Sequence, residues 1–248
     1  MTPRRVLVTG GSKGIGRAVA ESFAAEGADV VVGYHSDQAA AEETCARLAE
    51  LGGHGIARHG DISTEPGAQQ LVRAAQAATG GLDVLVHCAV HAARGDLLTS
   101  DSDDVATAVS GNGLSLLWLA RTATPLMPPG GSIVLLTSQG ARTVIPGYGL
   151  IGPPKALAES LATYLAVELA PREIRVNIVE SGPVDTHSFR RAVGAADQAL
   201  ASAQRRTPLG RLVAAADVGR LVRQLSTDTF GMVTGQRLVV DGGLTLRG

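Results

Sequence analysis

Short β-branched runs alternate with longer stretches whose apolar residues recur every three or four positions, and the alternation continues along the whole chain. Residues 5–8 (Arg-Val-Leu-Val) predict a strand, and from Gly14 to Glu26 the spacing of Ile15, Val19 and Phe23 predicts a helix with one apolar face. A second strand follows at 29–33, then an Ala-rich helix over 38–51 stopped by Gly52-Gly53, and a third strand at 55–59. Ser63 or Thr64 can cap the next helix, which tolerates Pro66 in its first turn and runs to Thr79. A fourth strand at 82–88, a long helix within 101–127 and a fifth strand at 133–137 come next. The pattern closes with a helix over 153–169, a strand at 175–179, helical segments at 189–204 and 214–225, and a last strand at 238–240.

Nearly continuous apolar strands separated by amphipathic helices predict a parallel sheet covered on both faces. The expectation is a single α/β domain over residues 1–248, a doubly wound sheet of about seven strands. In such a sheet a ligand lies beyond the carboxyl ends of the strands, where strand order reverses.

Composition narrows the field. The 248 residues are 45% hydrophobic, enough for a sizeable core, and no Ser/Pro-rich linker divides them. With 22 basic and 23 acidic residues there is no basic footprint for a polyanion, so nucleic acid is excluded as a partner. Charged and small residues break every apolar segment before the roughly 18 residues a membrane span needs. The opening M-T-P-R-R runs into the first strand without room for a signal peptide, so the expected compartment is the cytoplasm. Cys45 and Cys88 are too few and too far apart for a disulfide framework or a metal site. The only lysines are Lys13 and Lys155; every other basic residue is Arg, which points to places where a compact ammonium is needed.

Both lysines fall in candidate motifs. Thr9-Gly10-Gly11-Ser12-Lys13-Gly14-Ile15-Gly16 leaves the first strand and opens the first helix, the context in which glycines and a helix N-terminus receive a pyrophosphate. From Ser138 to Lys155 the chain reads S-Q-G-A-R-T-V-I-P-G-Y-G-L-I-G-P-P-K. Here Ser138 can orient a substrate oxygen and Tyr148 can donate a proton to it. A Lys155 ammonium beside the phenol would lower its pKa from the usual value of about 10. Gly149, Gly152, Pro153 and Pro154 oppose a continuous helix, so Tyr148 is expected on a loop.

The G-x-x-x-G-x-G spacing resembles the short-chain dehydrogenases/reductases, and the resemblance covers essentially the whole chain. It implies a Rossmann fold and an NAD(P)(H) cofactor. It also implies that Asp61 and Ile62 meet the adenine, and that Asn112 supports the lysine through water. Ser138 and Lys155 match the catalytic serine and lysine, while Gly182, Val184 and Thr186 resemble the loop holding the nicotinamide amide. Gly235 to Gly243 resembles a final strand packed across a tetramer interface, and the helix carrying Tyr164, Leu165, Val167 and Leu169 implies a second such contact. A homotetramer is expected, with a dimer next.

Departures refine the reading. Four residues before Lys155, where the ordinary motif has tyrosine, stands Ile151; Tyr148 lies seven before. This spacing, with Thr207-Pro-Leu-Gly-Arg, resembles the type III, short-chain-type enoyl-acyl-carrier-protein reductases. His87-Cys88-Ala89-Val90 replaces the usual Asn-Asn-Ala-Gly; by position His87, Cys88 and Ala89 are cofactor contacts, and the alternatives are that His87, Cys88 and His91 are altered active-site groups or that His87 contacts the cofactor while Cys88 fills core space. Glu180 before the nicotinamide loop is open among solvated, salt-bridged and substrate-contacting roles. Tyr34 stands where NAD-specific relatives place an acid, and with Lys13, His35 and Ser36 it implies NADP(H). The implied activity is NADPH-dependent reduction of an enoyl thioester or conjugated carbonyl. The alternatives are a ketoreductase, or a non-redox cyclase, isomerase or cofactor-binding structural protein.

Overall fold

Seven runs of aliphatic residues in the computed structural model, which describes residues 3–246, pair into one sheet. The strands are β1 (Arg5–Thr9), β2 (Asp29–Tyr34), β3 (His54–His59), β4 (Val84–His87), β5 (Ser132–Ser138), β6 (Arg175–Ser181) and β7 (Arg237–Val240). All pairings are parallel, in the order β3-β2-β1-β4-β5-β6-β7. Met1, Thr2, Arg247 and Gly248 lie outside the described residues, so the predicted single domain is traced from 3 to 246.

Period-two alternation makes two cores. Leu7, Leu85, Ile133 and Val176 stand in register on one face, beneath α3 (Glu65–Thr79), α5 (Ser115–Ala123) and α6 (Gly152–Leu169). Val8, Val86 and Val134 point to the other face, beneath α1 (Gly14–Ala24), α2 (Gln38–Glu50) and α9 (Ala215–Leu225). With both faces covered, the five inner strands have no solvated side to mark with polar residues and read as nearly continuous apolar runs, while the edge strands β3 and β7 keep exposed positions. The expected cap forms, with the Thr64 hydroxyl accepting from the Gly67 N–H at 3.2 Å to cap α3; the Asp37 carboxylate caps α2 at Ala40.

Two predicted helices are interrupted. The long helix within 101–127 divides into α4 (Ser102–Val109) and α5, joined by a π-helical turn at Ser110–Leu114. The segment 189–204 becomes α7 (His187–Ala192) and α8 (Ala196–Arg206), because Gly194 and Ala195, with φ 48°, turn the chain between them. The second interruption borders the catalytic cleft through Val193. Among the described residues no helix is long and apolar enough to cross a membrane, and no group of three or more His, Cys, Asp or Glu could hold a metal ion.

Candidate active site

At the carboxyl end of β1 the chain must turn sharply into α1, and Gly10 does so with φ 65°. A Cβ at Gly16 would overlap the Gly10 carbonyl, so the first turn of α1 packs directly on the strand exit. No side chain caps that turn at Lys13, which leaves its first N–H groups available to an anion. A groove runs past them, walled by Thr9, Gly10, Ser12, Lys13, Gly14, Ile15 and Gly16, then Tyr34, His35 and Ser36 from the end of β2. Ile62, Cys88 and Ala89 complete the far wall. These donors and glycines fit a dinucleotide diphosphate on α1.

Three groove residues with ionisable side chains were not singled out by sequence. Asp37 lies on the wall and forms an ion pair with Lys13, which, with the Ala40 N–H, lowers the Asp37 pKa below its ordinary value. Arg191 and His187, both on α7, close the groove from the opposite side. No motif marks them, because α7 reaches the groove only through the fold.

The groove continues into a second pocket sharing Ile15, Cys88, Val90, Thr186 and Ser188. Ser138, Tyr148 and Lys155 line this pocket together with Gly182 and Val184. Ser138 ends β5; Tyr148 sits on the expected loop, its carbonyl receiving the Gly152 N–H at 2.8 Å as α6 begins. The Tyr148 hydroxyl and Ser138 Oγ are 3.2 Å apart and share a hydrogen bond. That approach requires Gly140: a Cβ there would lie 2.5 Å from Tyr148 Cε1. Ile151 is fully buried in place of the ordinary tyrosine.

The electrostatics correct one expectation. Burial raises the Tyr148 pKa above its usual value, only partly opposed by the Ser138 hydrogen bond, and Lys155 does not lower it. The ammonium instead donates to the Leu136 carbonyl at 3.1 Å. Burial lowers the Lys155 pKa, while Cys88 and Glu159 act in the opposite direction. Tyr148 is therefore a neutral hydrogen-bond donor at neutral pH.

Other expected residues fall elsewhere. His87 is 2% exposed and absent from both pocket walls. Its Nδ1 faces Thr9 Oγ1 at 2.9 Å and its Nε2 faces Ser115 Oγ at 2.9 Å. The Ser115 hydroxyl donates onward to the Gly111 carbonyl. In the arrangement that satisfies every proton, Thr9 donates to Nδ1 and Nε2–H donates to Ser115, so the ring is neutral. Burial first, then Lys155, pushes its pKa down to about 3. His87 is thus neither a cofactor contact nor an acid. Cys88 does line the cleft, but burial raises its thiol to about 12 and keeps it protonated. His91 is exposed and lines neither pocket.

Asn112 lies in the π-helical turn and is also absent from the pocket walls. Its Oδ1 accepts from the His91 N–H at 2.7 Å, and its Nδ2 donates to the carbonyls of His91 and Leu150 at 3.1 and 3.2 Å. It ties the β4 loop to the Tyr148 loop. Asp61 turns its carboxylate onto Ser63 and leaves the wall to Ile62. Thr186 caps α7 and sets its methyl against Gly14. Glu180 is salt-bridged to Arg237, which closes that question.

A glycine-loop groove joined to a serine–tyrosine–lysine pocket at a switch in strand order defines a dinucleotide-binding α/β oxidoreductase. The chain belongs to the short-chain dehydrogenase/reductase superfamily: the family model described as enoyl-(acyl carrier protein) reductase matches residues 10–245. It is 34% identical over 243 residues to 1-cyclohexenylcarbonyl-CoA reductase of Streptomyces collinus, covering 97% of this chain and 86% of the relative. It is 33% identical over 255 residues to an enoyl-[acyl-carrier-protein] reductase [NADH] of Synechocystis sp., covering 100% of this chain and 98% of that one. A short-chain dehydrogenase from Burkholderia cenocepacia, solved in complex with NADP, superimposes with a TM-score of 0.89 at 33% identity, covering 98% of each chain.

Proposed function

We propose that the protein is an NADPH-dependent reductase of the C=C bond in an enoyl thioester or similar conjugated carbonyl. The observation that carries this reading is the Ser138–Tyr148 hydrogen bond of 3.2 Å, made by a tyrosine seven residues before Lys155 while Ile151 is buried at the ordinary position. The relatives named for enoyl and cyclohexenylcarbonyl thioesters support it.

When bound, the cofactor supplies a hydride to the substrate's β-carbon. Negative charge then gathers on the carbonyl oxygen, and the neutral Tyr148 phenol donates a hydrogen bond to that enolate oxygen until the α-carbon takes a proton from water, which completes the saturated thioester. One well-aimed donor of this kind is worth about 3 to 4 kcal/mol in the transition state. Ser138 orients the phenol and shares the oxygen. Lys155 holds the nicotinamide ribose, and Asn112 acts as a positioning residue by fixing the Tyr148 loop. Lys13 and Arg191 on the groove wall, with Tyr34 rather than an acid ending β2, favour the 2′-phosphate of NADPH.

The reading includes a cytoplasmic homotetramer. On α6, Tyr164 and Val167 are 70% and 74% exposed and offer the apolar contact, while Leu165 and Leu169, expected to share it, face the core. Light scattering that gives a monomer mass at micromolar concentration would remove this part.

The deciding experiment supplies NADPH deuterated at the transferable C4 position together with an α,β-unsaturated and a β-keto short acyl thioester in parallel. Deuterium on the β-carbon of a saturated thioester supports enoyl reduction. Deuterium on a carbinol carbon replaces it with ketone reduction, and no consumption of NADPH with either thioester rejects the substrate class.

A further inference from the structure

Beside the catalytic pocket lies a cation that the proposed chemistry does not use. Residues 94–95 are fixed to the Tyr148 loop by a β-bridge between Gly95 and Tyr148. Its two backbone bonds run from the Gly95 N–H to the Gly147 carbonyl at 3.0 Å and from the Gly149 N–H to the Gly95 carbonyl at 3.1 Å. The Arg94 guanidinium does not extend away from this bridge. It lies in a slot between two glycines: a Cβ at Gly147 would fall 2.7 Å from its Nε, and a Cβ at Gly194 would overlap its Nη1. Gly147 precedes Tyr148 and Gly194 follows Val193, and both of those neighbours line the catalytic pocket. Arg94 therefore spans the rim between the tyrosine loop and the α7–α8 turn.

Among the described residues, no carboxylate comes within 4.0 Å of Arg94 and no acceptor takes a hydrogen bond from it. Of the arginines nearby, Arg190 pairs with Asp185 and Asp197 and Arg142 with Glu159, whereas Arg191 faces the cofactor groove instead. Arg94 is exposed, and a guanidinium flanked by glycine backbone on two sides with its donors uncommitted is open to a planar oxyanion.

We propose that Arg94 receives an anionic group of the substrate, a phosphate or carboxylate remote from the reacting double bond. This rests on the reductase reading for the identity of the substrate, and on the slot for the charge. The anion has two chemical sources. It is either the phosphate of a phosphopantetheine arm on the thiol side of the thioester, or a carboxylate at the far end of the acyl group.

The test uses saturated products, which bind without turning over, on the protein loaded with NADP+ and followed by calorimetry. The probes are neutral butyryl-N-acetylcysteamine, butyryl-4′-phosphopantetheine and glutaryl-N-acetylcysteamine. One anionic probe should bind on the order of 10- to 100-fold more tightly than the neutral one, and Arg94→Gln should remove that advantage while leaving neutral-probe affinity unchanged. Which anion shows the advantage names its source. Gly194→Ala, which keeps the charge but fills the slot, should give the same loss and guards against a folding defect in the first variant. An anionic advantage that persists in Arg94→Gln, or none in the parent protein, overturns the proposal. Because binding is read without turnover, failure of enoyl reduction with this advantage intact rejects the reaction and leaves the anion site standing.

Discussion

Acid should destabilise this protein through His87, a residue with no part in catalysis. The folded-state pKa is depressed from 6.5 to about 3 by burial, and the ring is already satisfied as the neutral form by Thr9 and Ser115. A depressed pKa contributes stability that is present above the unfolded value and is lost as pH falls toward the folded one. At pH 5 the unfolded ring is largely protonated, a factor of roughly 30 in the partition, while the folded ring is essentially neutral. That factor corresponds to about 2 kcal/mol, against only about 0.2 kcal/mol at pH 7, so a loss of nearly 2 kcal/mol falls between those two values and the remainder below pH 5. His87→Asn removes the titration. It also disturbs the Thr9 and Ser115 hydrogen bonds, but that cost is nearly the same at both pH values and cancels in the comparison. Equilibrium urea unfolding at pH 7 and pH 5 should show the parent losing about 2 kcal/mol more than His87→Asn. Equal losses in the two proteins would refute the neutral, buried assignment.

Other perturbations test the site itself. Tyr148→Phe should slow turnover by roughly 10²- to 10⁴-fold and leave NADPH affinity nearly unchanged in a fluorescence titration. Lys155→Ala should impair both turnover and cofactor affinity, since the ammonium is assigned to the ribose. Gly140→Ala should lower kcat by on the order of 100-fold with cofactor binding retained, because a Cβ 2.5 Å from Tyr148 Cε1 forces the phenol away from Ser138. NADPH should bind more tightly than NADH; Lys13→Ala should narrow the gap about 3- to 10-fold, and Asp37→Asn, which keeps the α2 cap, should widen it, both read from cofactor Kd values.

The legible parts of this chain were those governed by local rules. Strand and helix periods, the Thr64 cap and the glycine loop each depend on a few adjacent residues, and the Tyr148 loop was foreshadowed by the prolines that open α6. What escaped depends on residues far apart in sequence. His87 looked like a spare acid until Ser115, 28 residues on, and Thr9, 78 residues back, were seen to occupy both ring nitrogens. Asp37 was invisible as a groove residue because its sequence context marks only a helix cap. The break between α7 and α8 was equally hidden, since Ala195 with positive φ has no residue signature.

The same long-range logic frames Tyr148 and Lys155. Glu159 is 5% exposed and lies one turn beyond Lys155 on α6. Its carboxylate accepts from Thr137 Oγ1 at 2.7 Å and from Arg142 Nε at 3.0 Å. Those two donors flank the stretch holding Ser138 and Gly140, so one buried carboxylate fastens the end of β5 and the following turn to the helix that carries Lys155. A buried charge is costly unless its oxygens are met, and here each oxygen has a donor. The turn is consequently held in place, and with it the glycine surface on which the Tyr148 ring rests. The usual arrangement couples tyrosine and lysine by placing them on one helix. Here the coupling runs through β5: Lys155 bonds to Leu136 O, Thr137 to Glu159, and Ser138 to Tyr148, three consecutive strand residues that give the phenol and the ammonium a common frame.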